Sequence, residues 1–292
     1  LGGDGSVTLT LGTVDLSATR TSLAMVAAET LGLDLSDVRV VVGDTDMVAY
    51  SDSSSGDKIT YIASKAVRQA GLDMLDWLRV RVADGFHVSP AEIAYERKRF
   101  WVRDAPEMEM TLADLARRSV EGEGAVMGHA SVSEKTGAAA IAPTGAVHVV
   151  DVEVDRETGK TQIVRYTAFQ DVGLSVNPDQ VEGQVQGGVT QGIGWALSEA
   201  YDFDERGAVS NASLLDYRLS TCVDVPFIDA VIAEVPSSDH PFGIRAVGQL
   251  PIVPTAAAIG NAIRRATGVR LCELPMTPER VHRALASAKA EG

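Results

Sequence analysis

Asn177-Pro-Asp-Gln-Val-Glu-Gly-Gln-Val-Gln-Gly-Gly-Val-Thr-Gln-Gly-Ile-Gly194 is the stretch on which the reading of this chain turns. Asn177 has the side chain of an N-cap, Pro178 suits the first helical position, and Gln180 follows at the third. The run therefore predicts a helix that continues to about Glu199, although each glycine costs it about 1 kcal/mol against alanine. Gly183, Gly187/Gly188 and Gly192 recur at helical spacing and predict one small-residue stripe. Such a stripe admits another backbone or a flat ligand. Tight packing against a neighbouring element explains the same glycines. Gln180, Gln184, Gln186 and Gln191 add neutral donors and acceptors, and a helix N-terminus with amide side chains suits an anion such as a pyrophosphate or a pterin phosphate.

Two other segments offer polar groups on loops. Ser51-Asp-Ser-Ser-Ser-Gly56 precedes a helical pattern from about Thr60 to Val82. There Ser54, Ser55, Gly56, Asp57 and Thr60 present hydroxyls and amides suited to an oxyanion, or simply form a solvated turn. Pro241-Phe-Gly-Ile-Arg-Ala-Val-Gly-Gln-Leu-Pro-Ile-Val-Pro254 sets Arg245, Gly248 and Gln249 in a proline-stiffened loop that either positions a polar group or merely connects two elements.

Around these segments, Val7–Leu11 alternates as a strand, and Arg20–Leu31 has helical spacing with Gly32 as C-cap. Val38–Val42 reads as a buried strand. Residues 85–125 look loosely organised, with a short strand at Arg97–Arg103 and a capping box at Thr111-Leu-Ala-Asp114. Ala146–Val154 and Gln162–Val172 form a hairpin, and Ala230–Val235 is a further strand. Pro254-Thr255 and Thr277-Pro278 open the last helices. His148 shares a face with Val150, Val152 and Val154 and is expected in the core, as are Trp195 and Leu197. Asp151, Glu153 and Asp155 are expected on a solvated face. The fold class is α+β with mixed sheets and packed helices, in two parts, 1–145 and 146–292.

Composition sets limits. The chain has 292 residues, 45% hydrophobic and 23% charged, with net charge −14. A field of that sign disfavours nucleic acid and anionic membranes. No apolar run reaches the roughly 18 residues of a membrane span. Cys222 and Cys272 make no disulfide framework, so the cytoplasm is the expected compartment. The five histidines have no metal-ligand spacing, and no metal-ligating residue is assigned. The sequence opens at Leu1 already close to a strand, which fits a split or processed piece of a larger unit or simply the boundary of the sequence.

Taken together and in order, the segments resemble the molybdenum hydroxylase family, which includes xanthine dehydrogenase, aldehyde oxidase and carbon monoxide dehydrogenase. The likeness is to the C-terminal part of its molybdopterin-binding subunit. Asp171–Gly194, Val42-Gly-Asp-Thr-Asp46, Leu215-Asp-Tyr-Arg-Leu219 and Gly248–Ala262 carry it, and it extends over essentially the whole chain, with the family subunit's N-terminal half missing. The resemblance implies a molybdenum-bound molybdopterin in its cytosine dinucleotide form. It also implies a second molybdopterin-binding chain supplying the missing half, a [2Fe-2S] subunit, an FAD subunit and a small-molecule substrate: an aldehyde, an N-heterocycle or a related electron-poor carbon. Gln180 and Gln184 would meet the pterin. Ser54, Ser55, Gly56, Asp57 and Thr60 would hold phosphate and pterin, and Gly248 would also belong to the cofactor-binding set.

Two departures from the family pattern stand out. Val14-Asp-Leu-Ser-Ala-Thr-Arg20 replaces a Gly-Gln-Gly motif. Gln249 occupies the position of the catalytic glutamate, with Arg245 nearby where relatives often have Lys. A carboxylate accepts a proton and a neutral amide does not. The departures imply either altered chemistry, such as a reductive or dehydroxylating reaction, or a non-catalytic structural subunit.

Overall fold

A computed structural model describes residues 1–46, 48, 50–51, 53–54, 57–132 and 143–290. The chain divides into two compact units: Leu1–Ile141 with Asp239–Pro241, and Ala142–Ser238 with Phe242–Gly292.

In the first unit, β1 (Val7–Leu11) and β2 (Val38–Val42) pair in parallel, joined by α1 (Thr19–Leu31). Gly32 closes α1 in the left-handed region at φ 59°, where glycine carries no Cβ penalty. The long helix α2 (Lys58–Phe86) follows, then β3 (Ile93–Glu96), β4 (Arg99–Val102) and β5 (Ala105–Thr111), an antiparallel meander. Helix α3 (Leu112–Arg118) starts with the expected capping box: Asp114 N–H donates to Thr111 Oγ1 at 3.1 Å, and Thr111 N–H donates to Asp114 Oδ2 at 3.0 Å. Leu78, Val82, Phe100 and Leu115 are the centre of this unit's core.

Two expectations fail here. Residues 85–125 are well organised, with Phe100 and Leu115 fully buried. The β3–β4 hairpin was hidden because its turn residues, Arg97 and Lys98, take positive φ (43° and 69°) without the usual Gly or Asn. The second failure is β2. Only Val40 is buried, while Val41 and Val42 are exposed, because a two-stranded sheet has too few neighbours to cover both faces.

In the second unit, β6 (Ala146–Val154) and β7 (Thr161–Asp171) form the expected antiparallel hairpin. The strand β8 (Ile228–Ala233) adds to β7 in parallel, making a mixed sheet. The helices are α4 (Pro178–Leu197), α5 (Thr255–Thr267) and α6 (Pro278–Ala290). Val185, Val189 and Ile193 of α4 pack with Tyr166, Ala168, Ile259, Ile263, Val281 and Leu285 in one core. The α+β class with mixed sheets holds. Asp151, Glu153 and Asp155 are solvated as expected. Trp195 is not core but exposed, whereas Leu197 packs against the core. No helix among the described residues is long and apolar enough to cross a membrane.

Candidate functional site

Helix α4 is set as its sequence dictates. Asn177 Oδ1 accepts the Gln180 N–H at 3.4 Å, and Pro178 fills the first turn. The glycines form two tracks rather than one stripe, since adjacent helical positions differ by about 100°. Gly188 and Gly192 face inward. A Cβ at Gly188 would lie 3.0 Å from Pro251 Cβ, and one at Gly192 would lie 2.5 Å from Thr255 Cβ. These two glycines are the packing device by which the Gln249 turn sits against α4. Gly183 and Gly187 face outward, and among the described residues nothing lies within 4 Å of where a Cβ would sit. Exposed Gln180 and Gln191 and half-buried Gln184 border that open track, while Gln186 donates to Glu182 Oε1 at 2.9 Å.

Gln249 is exposed and caps the short 3₁₀ turn Leu250–Ile252, its carbonyl accepting the Ile252 N–H at 3.3 Å. Thr255, fully buried, donates to the Pro251 carbonyl at 3.0 Å and fixes the far end of the turn. Gly248 is half-buried beside it. Arg245 is committed to its own unit. Its Nε lies 3.3 Å from Asp171 Oδ2 and donates to the Val235 carbonyl at 2.9 Å, while Nη1 donates to the Pro143 carbonyl. With its side chain 14% exposed, Arg245 clamps the strand end of β7 to the loop that carries Gln249.

The first unit holds the hydroxyl-rich segment separately. Ser54 and Thr60 are half-buried. Asp57 precedes α2 at φ 58°, and Thr60 lies in the first turn of that helix. Ser55 and Gly56 lie outside the described residues. In the segment replacing Gly-Gln-Gly, Ser17 and Ala18 adopt left-handed backbone at φ 55° and 58°, a conformation that glycine takes without strain.

Some polar groups were not singled out from sequence. Ser64 Oγ lies 2.9 Å from His240 Nε2, which is 3.0 Å from the Tyr61 carbonyl; Ser64 and His240 are both buried. A lone His between Asp239 and Pro241 gives no pattern to find. Tyr217, in the Leu215–Leu219 segment, donates to Glu199 Oε2 at 2.8 Å and folds its loop onto the end of α4. His148 lies on the inner face, half-buried, with Nδ1 2.8 Å from Tyr166 Oη. Burial pushes the imidazole down to about 4 and the phenol up to about 12. Among the described residues, no group of three or more His, Cys, Asp or Glu side chains could hold a metal ion.

The chemistry of these donors fits a flat, neutral-edged ligand on α4. The open Gly183–Gly187 track admits a ring, and Gln180 and Gln184 can pair with its edge. The first turn of α4 also carries Asp179, so this helix end is poorly suited to a phosphate. The hydroxyls of Ser54 and Thr60 are the better match for one.

Residues 1–226 match the family described as the molybdopterin cofactor-binding domain. The xanthine dehydrogenase molybdenum-binding subunit of Escherichia coli O157:H7 is 33% identical over 286 residues, 96% of this chain and 38% of that protein. The carbon monoxide dehydrogenase large chain of Hydrogenophaga pseudoflava is 30% identical over 288 residues, 96% of this chain and 36% of that one. Quinoline 2-oxidoreductase from Pseudomonas putida 86 superposes with a TM-score of 0.85 at 26% identity, over 97% of this chain and 37% of that chain. The chain thus spans less than two-fifths of the length of these relatives. With the matched domain covering most of its residues, this chain belongs to the molybdenum hydroxylase family and has the fold of its molybdopterin-binding subunits.

Proposed function

We propose that this chain is the C-terminal molybdopterin-binding part of a multi-subunit molybdenum hydroxylase-type oxidoreductase. It acts on an aldehyde, an N-heterocycle or a related electron-poor carbon, in the cytoplasm and only together with its partners. The observation that carries this is in the second unit: the open Gly183–Gly187 track of α4 and the Gln249 turn are locked to one helix through Gly188 and Gly192. The parts 1–145 and 146–292 each contribute one share of the binding region.

The group bound is molybdenum-molybdopterin, as the cytosine dinucleotide, and it supplies two-electron redox chemistry. Gln180 and Gln184 orient the pterin by hydrogen bonds. Ser54, Ser55, Gly56, Asp57 and Thr60 hold phosphate, and Gly248 lets the backbone approach closely. A second molybdopterin-binding chain completes the site, and [2Fe-2S] and FAD subunits carry electrons away.

Gln249 stands where a proton acceptor belongs. Its amide hydrogen-bonds but holds no proton at neutral pH, and a positioned base is worth roughly 10²–10⁴ in rate. The reaction therefore takes its base from the substrate or a partner, or runs in the reductive, dehydroxylating direction. Arg245 keeps Gln249 in place.

The test is to co-purify the chain with its partner and measure molybdenum and pterin. About one of each per complex is expected, and an intact, matured complex lacking both overturns the reading. Gln249→Glu is expected to change the rate and its pH profile. Unchanged turnover and pH dependence make this side chain a bystander. The absent carboxylate also favours a second reading, a structural subunit without chemistry. A loaded complex that reduces no artificial dye, with or without Gln249→Glu, supports it.

A further inference from the structure

A cleft of about 390 Å³ opens on the first unit, lined by none of the residues assigned to the cofactor. The middle of α2 contributes Asp76, Arg79 and Val80, the short turn Pro90–Glu92 contributes Pro90, and β3 contributes Ile93. Arg103 comes from the turn between β4 and β5. Ile93 is fully buried, whereas Val80 and Pro90 are exposed, so apolar surface runs from the core out to the rim.

These parts are tied together by the backbone. Ser89 caps the Pro90 turn: its Oγ accepts the Ala91 N–H at 3.4 Å, and its own N–H donates to Glu92 Oε1 at 3.0 Å. The Arg103 N–H donates to the Glu92 carbonyl at 2.9 Å, and Ile93 pairs with Val102. Arg103 is therefore held beside the Pro90 turn without using its side chain.

The two guanidinium groups differ. Arg79 Nη1 donates to Asp76 Oδ1 at 2.6 Å, one turn earlier on α2, and that pair is neutral as a unit. Arg103 is exposed, and among the described residues no group pairs with its guanidinium. Glu92 is committed to the cap, and neither it nor the neighbouring Asp104 lines the cleft. The lining thus carries one uncompensated positive charge, on a chain whose net charge is −14. The volume lies within the roughly 300–1,000 Å³ of small-molecule sites, which join apolar surface to a few placed polar groups. One positive charge matches a monoanion. The planar fork of an arginine fits the two oxygens of a carboxylate, and Asp76 beside Arg79 disfavours a second negative charge on the ligand.

We infer that this cleft binds a small organic carboxylate with an apolar body. The carboxylate sits on Arg103 and the body lies against Val80, Pro90 and Ile93. The site stands apart from the molybdopterin reading and does not depend on it.

The probe is para-ethylbenzoate, titrated into the full chain while the methyl resonances of Val80 and Ile93 are followed by NMR. Saturable shifts of both are expected, with a dissociation constant in the millimolar range or tighter. Titration to about 20 mM without a saturable shift at these methyls overturns the proposal. The neutral isostere para-ethylbenzamide is expected to bind at least about tenfold more weakly, because it lacks the charge that Arg103 meets. Equal binding of the two overturns the proposal, and since this comparison uses the natural chain it is decisive whatever a variant does. Inorganic phosphate that displaces para-ethylbenzoate at equal concentration also overturns it, because the apolar surface then contributes nothing. Arg103→Gln is expected to weaken para-ethylbenzoate at least about tenfold, and Arg103→Lys, which keeps the charge without the fork, is expected to fall between. Undiminished binding by Arg103→Gln overturns the proposal. Loss of the cofactor reading would leave each of these outcomes unchanged.

Discussion

At the scale of single residues, His148 makes the clearest prediction. Its pKa is depressed by burial from 6.5 to about 4, so the folded chain holds it neutral while the unfolded chain protonates it. The unfolded state therefore binds the extra proton as pH falls. The stability associated with neutral His148 is fully present above about pH 6.5 and is lost progressively down to about pH 4. Allowing for partial exposure, the loss is about 2 kcal/mol. Urea melts at pH 7 and pH 4.5 are expected to show it for the natural chain, and His148→Phe is expected to flatten that difference. An equal slope in both proteins assigns the acid sensitivity elsewhere. The valine alternation around His148 placed it on the core face from sequence. Its bond to Tyr166 was not readable, because β7 reaches it only through a cross-strand register set by a bulge at Asp151/Val152. Arg245 shows the same limit: the loop was visible as a rigid carrier, but Asp171, its partner, lies far away in sequence.

At the scale of elements, α4 separates two meanings of glycine that sequence cannot tell apart. Spacing showed that the glycines needed a reason, and only their neighbours show which reason applies to which. Gly192→Ala pushes a Cβ against Thr255 and is expected to destabilise the second unit by about 1–3 kcal/mol, the usual cost of overpacking. Gly188→Ala meets Pro251 less closely and is expected to cost less. Gly183→Ala and Gly187→Ala point into open space. Each is expected to stabilise the isolated chain by roughly 0.5–1 kcal/mol through helix propensity, while lowering pterin retention in the assembled complex. Thermal melts of the four variants check the sign. Uniform destabilisation would mean that the outer track is also packing. Helices with caps, such as α1 with Gly32, were legible to within a residue or two. The β3–β5 meander was not, because Arg97 and Lys98 do the work of glycine in its turn.

At the scale of the whole molecule, net charge and exposed apolar surface act in opposite directions. A protein of net charge −14 repels its copies, yet the long irregular segment between α4 and β8 leaves Leu214, Leu215, Val223 and Phe227 at 80%, 90%, 89% and 82% exposure. Single exposed apolar side chains are ordinary, whereas several on one segment mark a surface made to be covered. Charge repulsion falls with salt, because the Debye length shrinks from about 10 Å at 0.1 M to about 3 Å at 1 M, and apolar attraction does not weaken with it. The isolated chain is therefore expected to bind a hydrophobic dye and to self-associate as salt rises, in sedimentation velocity runs between 0.05 and 1 M NaCl, conditions chosen to span about 14 Å to about 3 Å of screening. Replacing Leu214, Leu215, Val223 and Phe227 with serine is expected to suppress both, and co-expression with the proposed second molybdopterin-binding chain is expected to do the same without any substitution. A chain that stays monomeric and dye-free across the whole salt range would show that this segment is content in water, and the case for a covering partner at that surface would fall with it.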